Sequence, residues 1–214
     1  MSAIHQTGMT FLETETSVLV EPAANDEMFG IPYEFLRVNE GQETEDLEVM
    51  LDAAVSMIET WTRQTIRKTT FTVKYPGYYL DGKRHGLRPF LIIEKMPFIQ
   101  TVELRVLLDG EEDFTVVQHE DVVQPVYSRV FFPKDFDVNT VEDSEIHPIE
   151  IDFIAGWSLG TVVSPDKRVP AAIKLAIKQT MAHLYENRGD FDVSAGLPEL
   201  VKATLSTLKI PNFL

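Results

Sequence analysis

The sequence predicts an α+β fold: a small α-helical bundle interrupted by an inserted, mostly antiparallel β domain. Apolar residues recur at helical spacing between residues 44 and 64, and again from residue 170 onward. Between these stretches the pattern changes to strict alternation, punctuated by Pro-Gly and Asp-Gly turn signals. Helix, strands, helix is the order expected when a β unit has been inserted into a helical one.

The first helix rests on Leu47, Leu51, Ala54, Ile58 and Trp61, which share one stripe, with Glu45, Glu48, Asp52 and Glu59 off it. Thr44 is placed to cap its N-terminus, and the acids of the first turn suit the helix dipole. Phe71, Val73 and Tyr75 alternate with Thr70, Thr72 and Lys74 until Pro76-Gly77, and Asp81-Gly82 reads as a turn. Further strands are expected at Leu91–Ile93 (stopped by Met96-Pro97), Val102–Val106, Phe114–Val117, Val130–Phe132 and Ile149–Ile154. Asp109-Gly110 is a hairpin signal between two of them. Helical period returns at Pro170 with Ile173, Ile177, Thr180 and Leu184, and Gly189 is a natural stop. Pro198 opens a last helix carrying Leu200, Val201, Leu205 and Leu208. The expected organisation is a flexible acidic arm over residues 1–30, a helical core over 31–68 and 155–210, an inserted β domain over 69–154, and a tail over 211–214.

With 214 residues, 44% of them hydrophobic and 25% charged, the chain can bury a sizeable core. No apolar run approaches the roughly 20 residues that span a bilayer, so no membrane partner is expected. The N-terminal stretch carries acids in place of a signal peptide's basic region, and the expectation is an untargeted chain assembled in a cytoplasm. Cysteine is absent, which removes disulfides and thiolate metal sites. The formal charge is −15, concentrated in residues 109–152, where thirteen acids face only Arg129 and Lys134. A phosphate-gripping surface needs a basic face, so specific DNA binding is disfavoured.

No arrangement of residues argues for catalysis, a metal or a cofactor. Glu150 and Asp152 share one side of a strand, as a carboxylate pair would, but Ile149, Ile151 and Phe153 alternate with them, which is the pattern of a solvated face over a buried one. Asp135, Asp137 and Asn139 imitate the start of a calcium loop, which then fails at Thr140 and Ile146, where glycine and a bidentate glutamate belong. The histidines at positions 5, 85, 119, 147 and 183 have no metal-site spacing. Gly156 and Gly160 do flank Ser158 at nucleophile-elbow spacing, but no helical period follows until Pro170, so the strand-to-helix turn that an elbow needs is not expected. The expectation is a protein that is not an enzyme.

Four stretches together resemble the head–tail connector (adaptor) proteins of tailed bacteriophages. They are Asp46–Glu59 followed by Trp61-Thr62, Glu94–Phe98, Ile151–Trp157, and Val169–Ile173 running on to Ala182–Arg188 with its Tyr-Glu-Asn-Arg end. Arg63-Gln64 stands where that family has Gly-Arg after its first helix, and the arm over residues 1–30 is longer than the family's. The resemblance implies a homo-oligomeric ring, commonly dodecameric, in the virion neck. It docks beneath the portal protein, extends the DNA channel and receives a downstream neck or tail protein, while DNA passes without specific binding. It also maps portal docking onto the C-terminal segment, with Leu205, Leu208, Ile210, Phe213 and Leu214 as the apolar residues available. Two other readings stand beside it: another phage neck or tail-completion protein, and a non-catalytic carbohydrate-binding module whose aromatic platform would be Tyr75, Tyr78 and Tyr79.

Overall fold

In the computed structural model, residues 13–17, 30–41, 43–76, 88–123, 128–141, 147–157, 169–188 and 196–210 are described. The expected turn at Asp81-Gly82, the stop at Gly189, and Tyr78, Tyr79, Ile146, Ser158, Phe213 and Leu214 lie outside them. The chain divides into two units, one drawn from Met1–Val18, Thr69–Glu94 and Phe98–Ile154, the other from Leu19–Lys68, Lys95–Pro97 and Ala155–Leu214.

The first unit is built on alternation. Strands β1 (Glu13–Ser17), β2 (Thr69–Tyr75), β4 (Phe98–Leu107), β5 (Phe114–Val116) and β8 (Ile149–Ala155) form a five-stranded sheet in the order β1-β2-β8-β4-β5. Strands β3 (Phe90–Ile93), β6 (Glu120–Val122) and β7 (Ser128–Phe131) form a second sheet in the order β3-β7-β6. In β2 and β8 every second side chain is buried, because the side-chain period of a strand is two. The core holds Phe71, Phe98 and Phe153, whose rings lie 5.5 and 6.0 Å apart around Phe153. Tyr75 spans the two sheets and donates its hydroxyl to the Ile92 carbonyl at 2.9 Å. Asp121 of β6 does the same from the other side, accepting from the Thr101 amide at 2.8 Å and hydroxyl at 2.7 Å. The hairpin expected at Asp109-Gly110 joins β4 to β5, with Gly110 at φ +79°.

Two features of this unit correct the sequence reading. Glu13–Ser17, expected within a flexible arm, pairs antiparallel with β2 from Glu13↔Lys74 to Ser17↔Thr70. Its alternating Glu and Thr residues carry no apolar period, so the pairing rests on backbone hydrogen bonds that a hydropathy reading does not register. Glu120–Val122 also forms a strand, too short for its period to stand out.

The second unit contains α1 (Tyr33–Leu36), α2 (Thr44–Thr62), α3 (Ala171–Glu186) and α4 (Glu199–Leu205). Leu47, Leu51, Ala54, Val55 and Ile58 of α2 meet Ile173, Ala176, Ile177 and Met181 of α3, with Val201 and Leu205 of α4 closing the core. The expected N-cap Thr44 is instead the first helical residue, and Glu43 precedes it in the left-handed region at φ +53°. At the other end Arg63 occupies the left-handed position at φ +60°, its amide donating to the Glu59 carbonyl at 2.7 Å. Glycine is the usual occupant of such a position. Glu59, expected in solvent, turns back so that its carboxylate accepts from the Ile66 amide at 2.6 Å.

Three separate passages of chain meet beyond α2. The Thr65 amide donates to the Met96 carbonyl at 2.7 Å, the Gly156 amide to the Pro97 carbonyl at 2.8 Å, and the Trp157 amide to the Ile66 carbonyl at 3.2 Å. Gly156 lies at φ +115°, and a Cβ there would stand 2.4 Å from the Arg67 carbonyl oxygen. The two backbone positions predict opposite effects of substitution. Gly156→Ala should cost about 2–3 kcal/mol, lowering Tm by several degrees in calorimetry, whereas Arg63→Gly should be neutral or stabilise by up to about 1 kcal/mol by relieving a left-handed arginine.

Candidate functional site

The carboxylates that the sequence offers as a catalytic pair or as the start of a calcium loop are engaged in structure. On the polar side of β2, β8 and β4, Asp152 accepts from Arg105 Nη2 at 2.8 Å and from the Thr72 hydroxyl at 2.6 Å. Glu150 lies 3.4 Å from the same guanidinium and 3.5 Å from Lys74 Nζ. The carboxylates that mimic an acid–base pair are thus neutralised by two cations reaching across neighbouring strands. Asp137, the second acid of the imitation calcium loop, accepts from the Asn139 amide and side chain, both at 2.9 Å, and so caps the single turn at 138–140. Among the described residues no group of three or more His, Cys, Asp or Glu side chains is gathered as a metal would need. Tyr75, one of the three aromatics of the carbohydrate platform, is 2% exposed and faces the core, so it offers no surface for a sugar ring to stack on.

Two exposed ion pairs fasten elements distant in sequence. Arg88 donates to Glu120, and this hydrogen bond holds the Glu120 carboxyl below its ordinary range. In the helical unit Glu43, just before α2, accepts from Arg188 Nη1 at 2.6 Å and from the Tyr185 hydroxyl at 3.2 Å. The Arg188 guanidinium also lies over the Tyr185 ring at 4.6 Å, and the hydrogen bond to Glu43 raises its already high pKa. Asn187 bonds the His183 carbonyl at 2.8 Å and finishes α3. The Tyr-Glu-Asn-Arg end is therefore a clasp between the end of α3 and the start of α2. No local pattern pairs Glu43 with Arg188 across 145 residues, so the clasp was not legible in the sequence.

The residues assigned to docking divide. Leu205 is fully buried in the helical core, Leu208 packs half-buried against that core, and the Ile210 amide donates to the Thr62 carbonyl at 3.0 Å. These three hold the C-terminal segment on its own unit, because α4 is too short to be stable without burying its apolar side. Leu205 is thereby corrected from a docking residue to a core residue. Truncation after Lys202 would remove part of the core that α2 and α3 share. Phe213 and Leu214 lie outside the described residues. The large apolar residue exposed on α4 is Leu200, at 67%.

No family model matches the chain, and no curated protein matches it. Solved structures do. The fold is similar to that of a chain in the neck of an empty gene transfer agent (GTA) particle computed with C6 symmetry, with a TM-score of 0.63 and 19% identity over 94% of this chain and 97% of that one. It is similar to one in the neck of the native GTA particle computed with C12 symmetry, with a TM-score of 0.58 and 18% identity over 94% and 97%. A chain of the virion of the native particle matches with a TM-score of 0.61 and 17% identity over 93% and 97%. The likeness of fold runs through both units and leaves little of either chain unmatched.

The assignment of Leu205 to the core is tested directly. Leu205→Ala should destabilise the helical unit by about 2–5 kcal/mol. Both tryptophans, Trp61 and Trp157, pack against that core, so denaturant unfolding followed by their fluorescence reads this unit alone. An unchanged midpoint would return Leu205 to the surface.

Proposed function

We propose that the chain is a structural neck subunit of a phage-like particle, a head–tail connector (adaptor). It forms a ring beneath the portal, continues the DNA channel and offers a platform to the next neck or tail protein. The observation that carries this reading is the end-to-end likeness to chains of GTA necks, spanning both the helical unit and the inserted β unit. The symmetries of those necks support a ring, and the C12 form supports twelve copies. The paired state of Arg105, Glu150 and Asp152 supports a scaffold in place of a catalyst, since each group is committed to cross-strand neutralisation. A net charge of −15 per copy suits a conduit through which DNA slides without adhering.

Docking on the portal is assigned to the end of the chain, with Phe213 and Leu214 as its apolar groups. Half-burial of two such side chains contributes about 1.5–3 kcal/mol per copy, which repetition around a ring multiplies through avidity.

Particles assembled without this chain should accumulate as full heads that leak DNA beside tails that cannot join, with purified chain restoring joining. Normal particles in its absence would overturn the connector reading, and recovery of the chain only with tails would make it a tail-completion protein. Deletion of residues 211–214 should keep the tryptophan-monitored unfolding midpoint while reducing head attachment about tenfold or more. Unimpaired attachment would move docking to another surface.

A further inference from the structure

Two helix faces in the helical unit carry one spacing with opposite charge. On α2, Glu48, Val49 and Asp52, with Glu45 a turn before, lie within about 100° of arc. On α3, Lys174, Leu175 and Lys178 lie within the same arc. Each face reads charge, apolar, two residues, charge: Glu-Val-x-x-Asp on α2 and Lys-Leu-x-x-Lys on α3. Val49 is 69% exposed and Leu175 44%, and the five charged residues are exposed as well. Asp52 also binds Arg67, so Glu45 and Glu48 carry most of the acidic character. A single exposed valine or leucine is ordinary. An apolar residue at the border of a face of one sign, matched at the same spacing by an apolar residue bordering a face of the other sign, is a complementary pair.

We propose that these faces meet between neighbouring copies of the chain, the acidic face of α2 on one copy against the basic face of α3 on the next. A ring needs a head-to-tail interface made from two different patches, whereas a twofold dimer pairs a patch with itself. Like-charge repulsion opposes pairing α2 with α2 or α3 with α3, while the mixed pairing brings Glu45 and Glu48 to Lys174 and Lys178 and covers Val49 with Leu175. The two faces also point apart. Each helix buries its opposite stripe, Leu47, Leu51, Ala54 and Ile58 on α2 and Ile173, Ala176, Ile177 and Thr180 on α3. An interface formed this way cannot be satisfied within one copy. The inference rests on the connector reading only in taking the partner to be a second copy in a ring.

The chain has no cysteine, which makes the test direct. Particles are assembled with the Val49→Cys/Leu175→Cys double variant, oxidised, and run on a non-reducing gel. The expected result is a ladder of covalent oligomers up to the ring size, with each single variant giving none. Incorporated variant that stays monomeric, or that links to a different particle protein, overturns the interface while leaving the connector reading intact. Absence of the wild-type chain from the neck overturns both. Charge variants give an independent readout. Glu45→Lys/Glu48→Lys and Lys174→Glu/Lys178→Glu should each reduce incorporation into particles about tenfold or more, and their combination should restore most of it. A combined variant no better than its parents also overturns the pairing.

Discussion

The helical unit depends on a backbone constraint: three stretches far apart in sequence pass one another with no room for a side chain. Gly156 lies against the Arg67 carbonyl, and the amides of Thr65, Gly156 and Trp157 bond to Met96, Pro97 and Ile66. The unit is assembled from segments that the inserted β unit separates, so its own backbone must hold them in register. Hydrogen bonds between main-chain groups do this with little dependence on side chains, and the glycine permits the approach. With the passages fixed, α2 and α3 bring their apolar stripes together and α4 folds over the remainder.

Of the two units, the β unit was the more legible in its strands and the helical unit in its core. Phe71, Val73 and Tyr75 announce one buried face by alternation, and their burial is complete or nearly so. Leu47, Leu51, Ala54 and Ile58 announce another at helical spacing, and all are buried. What escaped the sequence is whatever lacks a period. β1 is a strand of alternating polar residues, α1 is a single turn, and the Glu43 clasp joins charged residues whose partners are set by tertiary folding alone.

The candidate site shows the same division. Leu205, Leu208 and Ile210 are apolar and near the end of the chain, which is also the description of a closing core helix, and composition does not separate the two uses. Burial does, because Leu205 has no surface left to offer. Gly156 was visible as part of an Ala-Gly-aromatic motif, but its reason became evident only beside Arg67. Tyr75 looked like a surface aromatic next to Pro76-Gly77, although its alternation with Phe71 and Val73 already placed it inward.

The acids of the β unit have a use that follows from sheet geometry. β5 is the last strand of its sheet, and Phe114 and Val116 are 36% and 62% exposed. The Val117 amide bonds to the Leu104 carbonyl, so by antiparallel alternation the peptide groups of Phe114 and Val116 point away from β4, toward the open edge. An apolar edge of this kind invites strands of other copies. Glu111, Glu112 and Asp113 immediately precede it and are exposed, so two copies pairing this edge in parallel would bring six carboxylates together. Repulsion at this edge opposes such a strand pairing, and the proposed contact between the α2 and α3 faces does not use the edge.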